Sequence, residues 1–454
     1  RTGLDRLFPE PQAHRQRLAA AVGLLRRVTV LAGGPGTGKT TTVARLLALL
    51  HDQDGPPPRV ALAAPTGKAA ARLQEAVTGE LPAGLAARIP EAATLHRLLG
   101  WRPGTRRFRY DRTQRLPFDV VVVDETSMVS LTMMARLLEA VRPQARLILV
   151  GDPDQLASVE AGAVLGDLAR APGRPEPALG EALRALGLPG EPAVVNGVVT
   201  LDHVWRFEGA IADLAAAVRA GDADTVIALL RAGNPDLEFV EPAAPSGIPD
   251  EHDRAGVRAD VLDAGAALTS AARAGDARRA LAALELHRVL CAHRRGPFGV
   301  TRWTTEIEKW LAHRRLGADP GSGPWYPGRP VLVTANDYDT GLFNGDTGVV
   351  LARPEGLRVA FARGGPPTLH PPSRLGEVAT VHAMTVHRGQ GSQFGRVTVV
   401  LPPAESPLLT RELLYTAVTR ARKFVRVIGT ADAVRAAVDR PVGRASGLRN
   451  RLHG

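Results

Sequence analysis

One cysteine, Cys291, stands in 454 residues. The chain therefore builds no intramolecular disulfide, no cysteine-rich zinc site and no four-cysteine iron–sulfur cluster within itself. Such usage suits a reducing cytoplasm. There is no run of about 18 or more apolar residues to cross a bilayer as a helix, so no membrane partner is expected. The chain opens on Arg1-Thr2-Gly3, which is neither an initiator Met nor a secretory signal, and its N-terminus reads as truncated. Outside the motifs described below, carboxylates fall mostly in loop-like stretches without an acidic pair and lysine at a strand end. No nuclease site is therefore expected, and no short-period repeat is visible.

What is present begins with size and charge. A single core stops growing near roughly 250 to 300 residues, so at least two domains are expected, placed at 1–200 and 201–454. A hydrophobic fraction of 44% supports real cores. Lys and Arg number 57 against 46 Asp and Glu, a formal net charge of +11. A basic surface suits a polyanion, but it equally suits a soluble enzyme kept apart by its own charge, and charge alone leaves both readings open.

Short Val-rich runs at 28–32, 60–64, 120–123 and 147–150 read as buried parallel strands, each followed by a loop and a helix. A second set follows at 331–334, 397–401 and 425–429, with an amphipathic helix near 411–422 between the last two. The expected fold is α/β, with two such domains and a cleft. Residues 101–117 are basic, interleave Trp101, Phe108 and Tyr110, and carry a Pro103-Gly104 turn, so a small β-hairpin insertion is expected there. Short β patterns from 337 to about 377, with turns at Asn344-Gly345-Asp346 and Gly364-Gly365, suggest a small barrel in the second domain. Residues 171–192 and 241–253 read as loops or linkers.

The strongest motif is Gly33-Gly34-Pro35-Gly36-Thr37-Gly38-Lys39-Thr40, which follows a predicted strand and opens a helix predicted over 41–50. That context suits a phosphate-binding P-loop: glycines let backbone N–H groups wrap phosphates, and the helix N-terminus favours anionic charge. Lys39 then reaches the outer phosphates, and the Thr40 hydroxyl ligates magnesium. The strand at 120–123 delivers Asp124 and Glu125 at its C-terminal end. Asp124 is placed to hold Mg²⁺, directly or through water, and Glu125 to orient and deprotonate the attacking water. By itself an acidic pair after a strand is more often a helix cap; beside a P-loop it indicates hydrolysis. Gln155, in the loop after a third strand, is placed to bridge the γ-phosphate and the neighbouring domain. Phosphoryl transfer spreads negative charge over the γ-phosphate oxygens, so an arginine closing over them can raise the rate by roughly 10³ to 10⁵. Arg206 and Arg420 are the candidates.

Taken in order, these segments resemble the helicase motifs of superfamily 1, and in detail the RecD subunits of RecBCD-type enzymes (exodeoxyribonuclease V). The resemblance is carried by Gln16, GGPGTGKTTT at 33–42, APTGKAAARL at 64–73, TLHRLLG at 94–100, VVVDETSMV at 121–129 and GDPDQLASVEAG at 151–162. It continues through Arg206-Phe207, residues 328–350, AMTVHRGQGSQF at 383–394 and LLYTAVTRARK at 413–423. Residues 328–350 are specific to RecD-like proteins.

The resemblance implies two RecA-like P-loop NTPase domains, the hairpin acting as a pin at the fork, and an SH3-like barrel in the second domain. It implies ATP and Mg²⁺ as cofactors, with Gln16, Gly33, Gly34, Pro35, Gly36, Thr37, Gly38, Lys39, Thr40 and Thr41 at the nucleotide. It implies Arg206 and Arg420 as fingers, and Thr66, His96, Thr385 and His387 as DNA contacts. The implied activity is ATP-driven 5′-to-3′ movement on single-stranded DNA, unwinding duplex ends or forks in double-strand break repair with RecB-like and RecC-like partners.

The sequence departs from the family at Arg388-Gly389-Gln390-Gly391-Ser392-Gln393, where relatives usually carry Lys-Ser-Gln-Gly-Ser-Glu, and no N-terminal partner-docking domain is recognised. The same ATPase motifs would serve a free-standing RecD-like or conjugative-type helicase. A P-loop kinase or GTPase would need an acceptor pocket or guanine-reading motif, which is not visible. A non-hydrolytic DNA-binding scaffold conflicts with the intact Lys39, Asp124, Glu125 and Gln155. RNA remains an alternative track, because backbone grips discriminate poorly between single strands.

Overall fold

The computed structural model describes residues 1–442 except 103–104, 106, 159–161, 172–175, 189–193, 195–196, 206–208, 245, 318–322, 338 and 363–364. The chain divides into two compact units, the first running through Arg206 and the second from Phe207 to Val442. The first boundary thus falls a few residues beyond the expected position 200.

In the first unit six strands form one parallel sheet: β1 (Val28–Gly33), β2 (Val60–Ala64), β3 (Ala93–Thr94), β4 (Val120–Val123), β5 (Arg146–Gly151) and β6 (Val198–Leu201), in the order β3-β2-β4-β5-β1-β6. Successive side chains of a strand point to opposite faces, and both faces here are covered. Leu31, Leu62, Val122 and Ile148 join helices His14–Leu25, Lys39–His51 and Gly67–Glu80 in one core. Their neighbours Val30, Ala61, Val121 and Leu147 join Leu95, Met134, Leu137 and Leu165 in another. Helix Pro177–Ala185 lies inside a stretch expected to be loop. Pro177 stands where a helix tolerates proline, and Leu179 and Leu183 bury against the first core.

The expected hairpin at 101–117 is represented by one antiparallel bridge, Trp101 to Phe108. The Arg109 N–H also donates to the Gly100 carbonyl at 2.9 Å. Its turn, Pro103-Gly104, lies outside the described residues. Phe108 and Tyr110 pack partly buried against the second core of this unit.

The second unit holds a parallel sheet of β7 (Leu237–Val240), β8 (His287–Cys291), β14 (Ala383–Thr385), β15 (Phe394–Val400) and β16 (Ala421–Ile428), ordered β14-β8-β15-β16-β7. Helices Ala255–Arg273 and Val300–His313 cover one face through Val257, Val261, Trp303 and Ile307. A polar network also sits beneath the first of these: Arg426 on β16, its side chain 4% exposed, donates to Glu238 at 2.8 Å and pairs with Asp260. Arg396 reaches the same Asp260 at 2.8 Å. Gly256 makes room for it, since a Cβ there would lie 2.6 Å from the Arg426 guanidinium.

Residues 331–334, expected in this parallel sheet, belong elsewhere. β9 (Pro330–Val333) joins β10 (Thr347–Leu351), β11 (Arg358–Phe361), β12 (Thr368–His370) and β13 (Val378–Thr380) in a separate antiparallel sheet ordered β12-β11-β10-β9-β13. Val331 and Val333 bury with Val350, Val359 and Phe361, a small core of its own. The expected insertion at 337–377 is thus wider, bounded by β9 and β13. The helix expected near 411–422 is Arg411–Val418, and β16 starts at Ala421. No helix among the described residues is long and apolar enough to cross a membrane.

Candidate nucleotide site and strand-end loops

β1 leads through the P-loop into helix Lys39–His51, which begins two residues before the sequence suggests. Gly36 and Gly38 adopt φ of 80° and 79°, the left-handed region that side chains resist. At Gly38 space forbids one too: a Cβ would lie 2.1 Å from Gln16 Nε2. Gln16 is 5% exposed and donates to the Thr37 carbonyl at 3.1 Å, so it braces the loop from behind. The Thr37 hydroxyl donates to Gly34 O at 2.8 Å. Lys39 Nζ donates to the carbonyls of Gly33 and Gly34 at 2.7 Å each. Its ammonium is thus stored inside the loop, one side-chain rotation from where phosphate oxygens would replace those carbonyls. Thr40 and Thr41 occupy the first turn of the helix, whose N–H groups have no intrahelical acceptor.

β4 lies between β2 and β5 and carries Asp124 to the same edge. The Asp124 carboxylate accepts the Glu125 N–H at 2.8 Å, and Glu125 adopts φ 50°, ψ 40°. Left-handed backbone at a residue other than glycine costs free energy and concentrates at functional sites. Burial, then the Glu125 charge, pushes Asp124 up to about 7, with Lys39 opposing. After β5, burial likewise raises the pKa of Asp152, again with Lys39 opposing. Asp124 and Asp152 therefore both feel the charge of Lys39. Gln155, 5% exposed, donates through Nε2 to Asp152 at 3.0 Å, and its Oε1 is buried without a partner among the described residues.

Sequence reasoning overlooked Asp152 as the group that aims Gln155, and it overlooked Trp205. The Trp205 N–H donates to Gly36 O at 2.8 Å, and the residue is 43% exposed. Its Cδ1 lies 3.4 Å from where a Gly38 Cβ would stand, and His203 meets the ring edge-on at 4.5 Å. An exposed indole beside a P-loop offers a flat apolar surface to a base. A large aromatic just before Arg206 was the available signal. Arg206 itself lies outside the described residues.

The remaining candidates sit at strand ends. Thr66, after β2, caps helix Gly67–Glu80 by accepting the Ala69 N–H. His96, exposed in the short helix after β3, contacts the rings of Trp101 and Phe108 at 6.4 and 6.0 Å between centroids. Thr385 ends β14, 8% exposed, and its hydroxyl accepts the Arg388 N–H at 3.3 Å; His387 is half-buried in the turn that follows. Arg420, 3% exposed, donates to the carbonyls of Thr416 and Ser392 at 3.1 and 3.3 Å, which ties it to the same segment.

Comparison with known proteins adds identity to this geometry. An AAA domain model matches residues 16–161, and a UvrD-like helicase C-terminal domain model matches 380–428. The RecBCD enzyme subunit RecD of Mycolicibacterium smegmatis is 53% identical over 452 residues, covering 96% of this chain and 74% of that protein. The RecBCD enzyme subunit RecD of Haemophilus influenzae is 33% identical, covering 98% and 73%. The ATP-dependent RecD2 DNA helicase of Deinococcus radiodurans is 35% identical, covering 90% of this chain but 47% of its own length. A crystal structure of Bacteroides Pif1 bound to ssDNA aligns over 92% of this chain and 93% of its own at 17% identity with a TM-score of 0.48, a likeness too loose to speak to chemistry. On the strength of the RecD relatives, matched across nearly the whole chain, the chain belongs to the RecD family of superfamily 1 helicases.

Proposed function

We propose that the chain is an ATP-driven motor that moves 5′ to 3′ on single-stranded DNA and unwinds duplex ends or forks as the helicase subunit of a RecBCD-type repair complex, alongside RecB-like and RecC-like subunits. The observation that carries the reading is the meeting of Lys39, Asp124 and the Asp152–Gln155 pair at one edge of the first sheet, in a chain of this family. The 53% identity to the RecBCD enzyme subunit RecD of Mycolicibacterium smegmatis, against 35% to the RecD2 helicase of Deinococcus radiodurans, favours the complex subunit over the free-standing helicase.

In this reading Lys39 leaves the Gly33 and Gly34 carbonyls for the outer phosphates. Gly33, Gly34, Gly36, Thr37, Gly38, Thr40 and Thr41 present backbone N–H groups or hydroxyls to the rest, Pro35 shapes the loop between them without an N–H of its own, and Gln16 and Trp205 flank the base. The residues suit magnesium. Among the described residues no three His, Cys, Asp or Glu side chains converge as an all-protein metal site. The ion typically takes one or two carboxylates plus phosphate oxygens and water, which Asp124 and the Thr40 hydroxyl can supply. Bound there, it would neutralise developing phosphate charge. The raised pKa of Asp124 marks a buried carboxylate short of positive charge. Glu125 orients and deprotonates the water, Gln155 Oε1 accepts from it, and Arg206 and Arg420 supply positive charge at the γ-phosphate.

Thr66 and His96 in the first unit, and Thr385 and His387 in the second, hold the strand, and nucleotide state alternates their grip. The bridge at Trp101 and Phe108 is the base of the pin, and the five-stranded antiparallel sheet is the family's small barrel. The reading is tested by ATP hydrolysis of the purified chain with single-stranded DNA, single-stranded RNA or duplex DNA. Strong stimulation by single-stranded DNA supports it; equal stimulation by RNA moves the track assignment, and none removes the motor.

A further inference from the structure

β14 and β8 run side by side and parallel, with Thr385 in register with Cys291. Parallel strands deliver their following loops to one edge, where ligands of such sheets gather. Two loops therefore emerge together, 386–391 after β14 and 292–299 after β8. They are tied where they begin, since the Val386 N–H donates to the Cys291 carbonyl at 3.0 Å.

The second loop reads Ala292-His293-Arg294-Arg295-Gly296-Pro297-Phe298-Gly299. The Val300 N–H donates to His293 O and the Thr301 N–H to Arg294 O, both at 3.0 Å. The Thr301 hydroxyl reinforces the second of these at 3.0 Å. A Cβ at Gly299 would lie 2.4 Å from Arg295 O, so the turn closes too tightly for a side chain there. The His293 ring is anchored to the Ser406 hydroxyl at 2.9 Å. A loop fixed at this many points still leaves Arg294 and Arg295 exposed.

Arg388 stands in the companion loop, fixed through its N–H on the Thr385 hydroxyl. Burial, and then the charge of Arg294, holds its guanidinium below the usual arginine pKa. Two guanidiniums that feel each other's charge repel, and an anion bound between them would relieve that repulsion. Elsewhere in this unit guanidiniums meet carboxylates: Arg254 with Glu306, Arg396 with Asp260, Arg422 with Glu285. Among the described residues no carboxylate pairs with Arg294, Arg295 or Arg388. The planar fork of a guanidinium matches phosphate oxygens two at a time.

We propose that Arg294 and Arg388 form a clamp for one phosphodiester of a nucleic-acid strand, with Arg295 beside it for the next. The clamp deepens the motor reading and rests on it. It grips the backbone and reads no base, as a motor that passes every sequence requires. Thr385 and His387, on the same loop as Arg388, then contact the strand next to the held phosphate.

The test is anisotropy of a fluorescein-labelled oligothymidylate with the full chain, titrated between about 50 and about 200 mM salt. Arg294→Ala and Arg388→Ala each weaken binding roughly tenfold and flatten the log–log salt slope by about 0.7, and the double variant by about 1.4. Arg294→Lys keeps the slope and recovers part of the affinity. Thermal melting unchanged from the parent confirms folding, as expected for exposed Arg294. If the parent binds and the double variant matches it in affinity and slope, the clamp is wrong and the motor reading stands. If the parent does not bind, both fall. If the variants lose binding of inorganic pyrophosphate but hold oligothymidylate as before, the pair serves a free anion and the clamp is overturned.

Discussion

The Gln155 amide donates to one oxygen of the Asp152 carboxylate at 3.0 Å while the other oxygen accepts the Asp154 N–H, also at 3.0 Å. Asp152 is 2% exposed, so this carboxylate has little freedom to move. The consequence is that, with Nε2 committed, Gln155 Oε1 is the amide atom left to accept, buried and without a partner among the described residues. Asp152→Ala removes the aim without removing the glutamine. The expected result is a kcat lower by roughly tenfold to a hundredfold with ATP affinity little changed. Steady-state kinetics beside a nucleotide-binding titration checks it, and equal kcat in variant and parent would refute the orienting role.

Lys39 and Glu125 separate binding from chemistry. Lys39→Ala removes the ammonium now held by the Gly33 and Gly34 carbonyls, and both ATP binding and turnover are expected to collapse. Glu125→Gln keeps the shape but not the base, so ATP still binds while turnover falls by about 10² to 10⁴. A filter-binding assay with labelled ATP distinguishes the two variants. Parent-like turnover in either sinks the site assignment.

Asp124 makes stability depend on pH in a stated direction. Its pKa rises from the ordinary 3.8 to about 7 in the fold. A carboxyl that prefers its proton when folded contributes fully below about 3.8, and that contribution is lost as pH rises through about 7. Without nucleotide or divalent cation, the protein should melt at a lower temperature near about pH 8 than near about pH 6. Asp124→Asn should shrink that difference, and added Mg²⁺ with ATP should offset it by favouring the ionised form. A difference that survives in the Asn variant would assign the effect to other groups.

Arg426 is buried in the second unit between two carboxylates, those of Glu238 and Asp260. Arg426→Met would leave Asp260, 11% exposed, with Arg396 as its remaining cation. Breaking a buried pair from one side typically costs about 3 kcal/mol or more. Gly256→Val tests the same contact from above, because its side chain would enter the space of the guanidinium. Urea unfolding should show both variants destabilised, with the unfolding of the first unit unaffected.

Four of the six parallel strands of the first unit, β1, β2, β4 and β5, were legible because each is an apolar run buried on both faces, whereas β3, only two residues long, and β6 were not anticipated. The same signature misled at Val331–Val333, since a strand in a small antiparallel sheet with its own core presents the same apolar run. β7 and β8 escaped notice for the opposite reason. Glu238, His287 and Arg288 break the apolar run: Glu238 pairs with the distant Arg426, and His287 and Arg288 are buried on partners far off in sequence, the Thr398 hydroxyl and the Val381 carbonyl. In the nucleotide site Lys39, Asp124 and Glu125 could be read from local motifs. The aim of Gln155 and the place of Trp205 depend on contacts with Asp152 and Gly36, and spacing alone does not reveal them.

The antiparallel sheet enters and leaves the second unit through one doorway: the Val381 N–H bonds the Pro330 carbonyl at 3.1 Å, so the two ends of a fifty-residue excursion stand side by side. A segment with adjoining ends can be gained or discarded in evolution without rethreading the strands around it. What such a loss would uncover is the apolar side of helices Ala255–Arg273 and Ala277–Ala283, where Leu268, Ala272, Ala280 and Leu284 now rest on Val349 and Leu351. A lineage that shed the module would therefore need new polar residues on those two helices to stay soluble, while the order of its parallel strands could remain as it is.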